Sequence, residues 1–241
     1  MNKKVLITGA SSGIGMAAAR LFHAKNHDIA IVCAHNNVGL TALSAELCGP
    51  AGVLPIMCDV SNPASVDRMW ETLVREDMLP DILINNAGID YIGLLQDMSV
   101  ADWDKVIATN LSSMFYVSRR CIPHMLSNHA GSIVNISSMW GNVGASCEVC
   151  YSASKGGVNA FTKALAKELA PSNIAVNAIA FGVVDTRMNG FLDEEERRNL
   201  LSEIPAQRMC SPAEAADIIY SVAMMDCYVT GQIITADGGM T

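Results

Sequence analysis

The chain has 241 residues, of which 51% are hydrophobic and 17% charged, so a buried core is expected and general disorder is excluded. Its formal net charge of −8 argues against a nucleic-acid partner, because phosphate backbones are bound by clustered positive charge. The longest apolar runs fall far short of the roughly 20 residues that span a bilayer, and no leader-like apolar segment follows the first residues. We therefore expect a cytoplasmic protein without membrane contact.

Short β-branched segments alternate with longer segments of helical periodicity along the chain. The predicted strands are Val5–Ile7, Ile29–Val32, Val53–Met57, Ile82–Ile84, Ile133–Ile136, Ile174–Ile179 and Gln232–Thr235. The predicted helices are Gly13–Lys25, Val38–Leu47, Pro63–Asp77, Asp102–Ser127, Tyr151–Ala170 and Pro212–Met224. This alternation predicts an α/β fold in which residues 1–241 form one domain, a doubly wound parallel seven-stranded sheet of the Rossmann type with helices on both faces. The less regular segment Gly182–Pro205, with a short acidic helix starting near Asp193, follows the sixth strand, where open sheets hold ligands.

The first predicted strand leads through a Gly-rich turn directly into a helix. Glycines in such a turn let the backbone approach a phosphate, and the following helix directs its free N–H groups toward it. A purely structural turn is the alternative, but the strand–turn–helix context favours dinucleotide binding. The candidate phosphate-binding residues are Gly9, Ser11, Ser12, Gly13, Ile14 and Gly15.

Tyr151 and Lys155 lie four residues apart on one predicted helix, so their side chains share a face. A free phenol has a pKa of about 10, and we expect the lysine ammonium to lower it. Tyr151 could then exchange a proton with a substrate oxygen while Ser138 stabilises the charge on that oxygen. Tyr-x-x-x-Lys also occurs by chance and Ser138 could be a plain strand-end hydroxyl, but their joint occurrence with the Gly-rich turn favours an active site.

The Gly-x-x-x-Gly-x-Gly turn, the Asn-Asn-Ala-Gly run at residues 85–88 and the Ser138, Tyr151 and Lys155 set together resemble the short-chain dehydrogenase/reductase family over essentially the whole chain. The resemblance implies an NAD(P)(H)-dependent oxidoreductase that interconverts ketones and secondary alcohols. It implies a catalytic tetrad of Asn110, Ser138, Tyr151 and Lys155, in which Asn110 anchors a water near Lys155 and Lys155 also holds the nicotinamide ribose. The further cofactor contacts that it implies are Asp59, Val60, Asn86, Ala87, Gly88, Gly182, Val184 and Thr186. Phe181 stands where the family usually has proline.

The end of the second predicted strand bears on the choice between NAD and NADP. Cys33 stands where NAD-preferring relatives carry an aspartate, which binds the ribose 2′-hydroxyl. Neither Ser12 nor Ala34 is the arginine that many NADP users have, but His35, Asn36 and Asn37 could replace it. We therefore expect NADP(H) to be favoured, with NAD(H) as the alternative cofactor.

Within the family, the general resemblance is to 3-oxoacyl-[acyl carrier protein] reductases. Residues 126–131 and 171–174 nevertheless lack the Lys and Arg with which such enzymes receive an acidic carrier protein. The loop Met139–Cys150 is similar to that of reductases that complete the 5-aminopentanol modification of bacterial elongation factor P. There Glu148 could pair with the substrate amine, or be a solvated loop carboxylate, and Trp140 could be pocket wall or packing. A catalytically silent dinucleotide-binding sensor or scaffold is the alternative from another class.

Eight cysteines are too few for a disulfide scaffold, which needs roughly 8–10% of residues, so free thiols are predicted. Cys147 and Cys150 form a Cys-x-x-Cys pair without a second pair, so we expect no metal site and no redox function. Relatives usually form tetramers through the helices predicted at Asp102–Ser127 and Tyr151–Ala170 and the last strand, which implies a homotetramer. The first of these helices is apolar most of the way round, which also favours burial on a second side. Its apolar residues include Val106, Ile107, Leu111, Met114, Phe115 and Val117.

Overall fold

The computed structural model describes residues 2–190 and 193–241, so residues 191 and 192 of the predicted segment Gly182–Pro205 lie outside it. Seven parallel strands form one sheet in the order β3-β2-β1-β4-β5-β6-β7. They are β1 Lys4–Thr8, β2 Asp28–Cys33, β3 Val53–Met57, β4 Ile82–Asn85, β5 Gly131–Ser138, β6 Ile174–Phe181 and β7 Ile233–Ala236. The chain proceeds outward from β1 to β3 and then returns to place β4 beside β1. This reversal creates a crevice at the carboxyl ends of β1 and β4, and the predicted doubly wound α/β fold is confirmed.

Helices cover both faces of the sheet. The α-helices are α1 Gly13–Ala24, α2 Asn37–Glu46, α3 Pro63–Arg75, α4 Val100–Ile107, α5 Ser113–Asn128, α6 Trp140–Val143, α7 Val149–Leu169, α8 Glu194–Glu203 and α9 Pro212–Ala223. One core lies beneath α1, α2 and α9, and the other beneath α3, α5 and α7. Alternate strand residues enter opposite cores: Ile29 and Ile31 of β2 pack in the first, and Ala30 and Val32 in the second. Strands buried on both faces therefore appear in the sequence as continuous apolar runs.

The predicted helix Asp102–Ser127 is interrupted in the structure. A π-helical turn, Ala108–Ser112, separates α4 from α5, and it contains the buried side chain of Asn110. The Asn110 amide bonds to the backbone of Ile89 on a neighbouring loop, and the Ser113 hydroxyl donates to the carbonyl of Thr109 at 2.6 Å. Helical periodicity alone does not reveal such a turn, because it is a single turn inside an otherwise continuous helical segment.

All seven strands join one sheet, in agreement with the single domain over residues 1–241, which stays a prediction. The loop Met139–Cys150 includes α6, and α7 begins two residues before the predicted start at Tyr151. Among the described residues, none of the helices has the combination of length and apolar character that crossing a membrane requires.

Candidate active site

The Gly-rich turn is fixed to the neighbouring strand end by side-chain hydrogen bonds. The Thr8 hydroxyl oxygen accepts from the backbone N–H groups of Asn86 and Ala87, both at 3.0 Å, and the Asn86 amide donates to the Thr8 and Gly9 carbonyls at 2.9 and 3.1 Å. Gly9 has φ +66°, and a Cβ on it would lie 2.9 Å from the Cα of Ala87. A Cβ on Gly15 would collide with the Gly9 carbonyl and lie 2.5 Å from Asn86 Nδ2. Only glycine therefore fits both positions, and the two strand ends are held as one unit.

Two cavities meet at this turn. The larger, of about 550 Å³, reaches from the turn past the ends of β4, β5 and β6, and the smaller, of about 360 Å³, lies past the ends of β2 and β3. Gly9, Gly88 and Ile89 line both cavities. The pair therefore forms a groove that passes over the amino end of α1, where N–H groups and the helix dipole favour a phosphate. These residues fit a dinucleotide with its pyrophosphate at the turn and its two nucleoside halves in the two cavities.

Ser138, Tyr151 and Lys155 come together on the wall of the larger cavity. Ser138 ends β5, and its hydroxyl is hydrogen bonded to the Tyr151 phenol oxygen. Lys155, one turn further along α7, is buried, and its Nζ lies 5.6 Å from the centre of the Tyr151 ring. Its ammonium donates to the Ile136 carbonyl at 2.8 Å. Strand β5 and helix α7 thus place a hydroxyl, a phenol and an ammonium at one end of the groove.

The prediction that Lys155 lowers the pKa of Tyr151 is wrong for the protein without a bound ligand, because the pKa is raised instead. Burial raises the pKa of Tyr151 to about 12, which outweighs the opposing effect of the Ser138 hydrogen bond, and the negative charges of Glu148 and Asp90 add to the rise. Burial also lowers the pKa of Lys155 to about 8, because the charged form loses its hydration. The phenol therefore retains its proton at neutral pH.

Asn110 lies outside the cavity wall and acts on the loop beside it. Its Nδ2 donates to the Ile89 carbonyl at 2.8 Å and to the Ser154 hydroxyl at 3.1 Å, and its Oδ1 accepts from the Ile89 N–H at 2.8 Å. A Cβ on Gly88 would lie 3.4 Å from Asn110 Oδ1 and 3.6 Å from Lys155 Nζ. Asn110 and Lys155 are thus neighbours across Gly88, and the hydrogen bonds of the Asn110 side chain join it to the Ile89 loop and to Ser154 of α7.

Most of the predicted cofactor residues line the groove, and two of them do not. The larger cavity is lined by Gly9, Ser12, Gly13, Ile14, Asn86, Gly88, Gly182, Val184 and Thr186. The smaller cavity is lined by His35, Asp59, Val60, Ala87 and again Gly9 and Gly88. Ser11 and Gly15 stand behind the lining: the Ser11 carbonyl accepts from the Asn36 amide at 3.4 Å, and Gly15 packs against Gly9.

The end of β2 offers fewer free polar groups than the sequence suggested. Asn36 caps α2 by accepting from the Gly39 N–H at 2.9 Å, so its side chain is already engaged. The Asp59 carboxylate accepts from both the backbone and the hydroxyl of Ser61, at 3.0 and 2.7 Å. Among the described residues that line the smaller cavity, His35 and Lys105 are the basic ones. Cys33, at the end of β2, also lies on the wall of this cavity.

Sequence reasoning missed Asp90 and considered Glu148 alone. Both line the larger cavity, on loops that are joined by a 2.8 Å hydrogen bond from the Gly93 N–H to the Cys147 carbonyl. The Trp140 indole N–H donates to Glu148, so Trp140 is pocket wall and not only packing. Asp90 follows the Asn-Asn-Ala-Gly run at the carboxyl end of β4. Because open α/β sheets bind ligands beyond the carboxyl ends of their strands, this position could have indicated Asp90 as a site residue.

The cysteines are free thiols, as predicted. Cys150 is buried and its thiol points to the Trp103 carbonyl at 3.8 Å, whereas Cys147 lies nearer the surface. The described residues hold no group of three or more His, Cys, Asp or Glu side chains arranged to bind a metal ion.

A parallel sheet with a Gly-rich turn at its switch point, and a hydroxyl, phenol and lysine at one end of the groove, define a dinucleotide-dependent oxidoreductase. The chain matches the short chain dehydrogenase family over residues 3–197, and it belongs to that family. It is 41% identical to the 3-oxoacyl-[acyl-carrier-protein] reductase FabG of Thermotoga maritima, covering 99% of this chain and 97% of the relative. It is 36% identical to the uncharacterized oxidoreductase YmfI of Bacillus subtilis, covering 99% of each chain. The crystal structure of a 3-oxoacyl-[acyl-carrier protein] reductase from Brucella melitensis superposes with a TM-score of 0.92 at 32% identity, covering 99% of this chain and 91% of that one.

Family membership makes the protein an oxidoreductase that acts on CH–OH groups and uses a nicotinamide cofactor. The predicted resemblance is thereby confirmed, and the silent sensor or scaffold is disfavoured.

Proposed function

We propose that the protein is an NADP(H)-dependent ketone reductase of the 3-oxoacyl reductase type, in which Ser138, Tyr151 and Lys155 carry out the proton chemistry. The observation that carries this proposal is the convergence of these three side chains on the wall of a cavity that continues to the Gly-rich turn. The 3-oxoacyl-[acyl-carrier-protein] reductases among its relatives support the substrate type.

A nicotinamide cofactor held in the groove would supply the hydride that the substrate carbon receives. Tyr151 gives its phenolic proton to the substrate oxygen, and its pKa of about 12 keeps that proton in place until it is needed. Ser138 donates its hydroxyl hydrogen to the same oxygen and stabilises the negative charge that develops there. The Lys155 ammonium, 5.6 Å from the phenol ring, stabilises the phenolate that is left. Asn110 is a positioning residue, because it holds the Ile89 loop and Ser154.

NADP(H) is the proposed cofactor because of the residues around the ribose end of the groove. Cys33 provides no carboxylate to repel a 2′-phosphate or to accept from a 2′-hydroxyl. His35 lies on the same cavity wall and can donate to a phosphate, and Lys105 adds a positive charge. The preference is measured as the ratio of kcat/KM values for NADPH and NADH.

A second candidate substrate is the 5-aminopentanone form of elongation factor P. The loop Met139–Cys150, which suggested it, forms the cavity wall through Trp140 and Glu148. The stretches 126–131 and 171–174 lack lysine and arginine, which weakens docking of an acidic carrier protein. Parallel assays with acetoacetyl-carrier protein and with the aminopentanone-modified factor distinguish the two.

We also propose a cytoplasmic homotetramer. Val106, Met114 and Val117 are buried within the chain, so they leave less apolar surface on this face than expected. Phe115 remains about half exposed, at 48%, and Tyr228 is 94% exposed next to the edge strand β7. Light scattering at micromolar concentration tests the assembly, and a monomeric mass contradicts it.

The decisive experiment measures NADPH oxidation with a panel of ketones that includes an acetoacetyl thioester. We expect the wild type to be active and Tyr151→Phe to lose at least about a hundredfold in kcat, the range of a general acid's contribution. Tyr228→Phe is the matched control, since this phenol lies outside the lining of both cavities. Full activity in Tyr151→Phe contradicts the proposed role.

A further inference from the structure

The side chains proposed to act on the ketone come from two separate elements. Ser138 ends β5, whereas Tyr151 and Lys155 lie on α7. The hydrogen bond between the Ser138 and Tyr151 hydroxyls therefore exists only while the helix keeps its position along the strand. A contact that fixes this position would act on the reaction without touching the substrate.

A buried hydrogen bond joins the strand to the helix directly behind these side chains. Asn159 lies four residues after Lys155 and eight after Tyr151, so the three lie on one side of α7. The Asn159 Oδ1 accepts from the Ser137 hydroxyl at 2.6 Å, and both side chains are buried. The same hydroxyl lies 3.3 Å from the Lys155 carbonyl oxygen. Asn159 thus holds α7 to the residue that precedes Ser138.

The other end of the Asn159 amide reaches the wall of the larger cavity. Its Nδ2 donates to Oδ1 of Asn142 at 2.9 Å, and Asn142 lies on the one-turn helix α6. The first residue of α6 is Trp140, which lines the cavity and whose backbone N–H donates to the Ser138 hydroxyl at 3.2 Å. One asparagine side chain therefore links β5, α6 and α7, and each of these elements contributes a side chain to the proposed site.

Helix α6 is packed tightly between α7 and the edge strand β7. A Cβ on Gly141 would lie 2.7 Å from the carbonyl carbon of Lys155, so the two helices meet backbone against backbone. On the other side, the Asn142 Nδ2 donates to the Thr235 hydroxyl of β7 at 3.2 Å. The position of α6 is therefore coupled to that of the Lys155 backbone.

We propose that Asn159 and Asn142 are positioning residues for the reduction. Their hydrogen bond keeps Ser138 within reach of Tyr151 and fixes the Trp140 wall relative to both. This inference rests on the proposed function. Both asparagines lie outside the lining of the two cavities, so their removal should act on kcat and not on NADPH affinity. A small displacement of reacting groups is enough to slow a reaction strongly.

The test measures kcat for ketone reduction and the Kd of NADPH. Asn142→Ala changes an exposed residue and Asn159→Ala a buried one, and each removes the hydrogen bond between them. We expect each to lower kcat by about tenfold and to leave the Kd of NADPH within about twofold. The double variant should lose little more than the larger single loss, because the first substitution already breaks the link. Asn142→Asp should keep most of the wild-type kcat, because its carboxylate still accepts from the Asn159 amide.

Thr162→Val is the matched control for a general loss of stability. Thr162 is buried on α7, three residues beyond Asn159, and its hydroxyl accepts from the Asn135 amide of β5 at 2.9 Å. It thus joins the same strand and helix farther from the proposed site. This variant should unfold at a lower urea concentration than the wild type and keep kcat within about twofold.

The outcomes separate the inference from the proposed function. If the wild type reduces no ketone with NADPH, the proposed function fails and the inference fails with it. If the wild type is active, the inference alone fails when Asn142→Ala keeps its kcat or when Asn142→Asp loses as much as Asn142→Ala. An equal loss of kcat in Thr162→Val also overturns it, because the effect would then follow stability. If Asn159→Ala does not fold, the exposed Asn142 variants decide.

Discussion

The side-chain amide of Asn110 forms two hydrogen bonds of 2.8 Å with the backbone of Ile89: it accepts from the Ile89 N–H and donates to the Ile89 carbonyl. The Asn110 side chain thus satisfies the backbone N–H and C=O of Ile89, as a neighbouring strand would do in a sheet. This contact ties the π-helical turn of Ala108–Ser112 to the loop that carries Asp90. The interruption of the long helix therefore fixes the position of the loop that carries Asp90.

Removal of this contact should weaken both the fold and the substrate site. Asn110→Ala leaves the N–H and C=O of Ile89 without their partner, and we expect a loss of about 2–3 kcal/mol in the free energy of unfolding, together with a raised KM for ketones. Urea unfolding and steady-state kinetics measure the two effects. Ser112→Ala, in the same turn, is the control, and equal stability of Asn110→Ala and the wild type contradicts the prediction.

Lys155 should make stability depend on pH. Its pKa is about 8 in the folded protein against 10.5 in the unfolded chain. Between these values the unfolded chain binds more protons, so stability rises with pH through this window and is lost as pH falls through about 8. Relative to Lys155→Met, the wild type should gain about 1 kcal/mol per pH unit near the middle of the window.

Urea unfolding of both proteins across the window between about pH 8 and pH 10.5 provides the test. Buried thiols such as Cys121, whose pKa is raised by burial, act in the opposite sense but equally in both proteins. Lys163→Met, an exposed lysine of the same helix, should follow the wild type. If the free energy of unfolding depends on pH in the same way in the wild type and in Lys155→Met, the prediction fails. Lys155 would then not have the lowered pKa that its burial implies.

The strands and the Gly-rich turn were predictable because their causes are local. Residues such as Ile29 and Ile31 form strands wherever both faces of a sheet are covered, and Gly9 is needed wherever φ is positive beside another strand end. The pairing of Tyr151 with Lys155 follows from helical geometry alone.

The remaining features depend on contacts between distant segments. The π-helical turn exists because Asn110 meets Ile89, which is 21 residues away in sequence. Likewise, the pKa of Tyr151 is set by burial and by Asp90 as well as its near neighbour Glu148, so the sequence, which shows Lys155 nearby, suggested the opposite direction.

Gly15→Ala should weaken cofactor binding by distorting the Gly-rich turn. Its Cβ would collide with the Gly9 carbonyl and lie 2.5 Å from Asn86 Nδ2, so the turn and the end of β4 would have to move apart. We expect NADPH affinity to fall by about tenfold or more, the equivalent of about 1.4 kcal/mol. Gly156→Ala is the matched control, since its Cβ would lie 3.6 Å from the Gly141 carbonyl in ordinary contact. Fluorescence titration measures both, and equal NADPH affinities contradict the prediction.

Cys33→Asp should shift the cofactor preference toward NADH. Cys33 lines the smaller cavity at the end of β2, where its thiol bonds to the Asn36 carbonyl at 3.3 Å. A carboxylate there would accept from a ribose 2′-hydroxyl and repel a 2′-phosphate, so the NADPH to NADH ratio of kcat/KM should fall by about tenfold to a hundredfold. Cys48→Asp, the same change at an exposed cysteine on the outside of the fold, should leave the ratio unchanged. Two results would contradict this prediction: a wild type that already prefers NADH, or a Cys33→Asp ratio equal to that of the wild type. Either would mean that the end of β2 does not discriminate between a 2′-hydroxyl and a 2′-phosphate. The choice of cofactor would then depend on other residues of the groove.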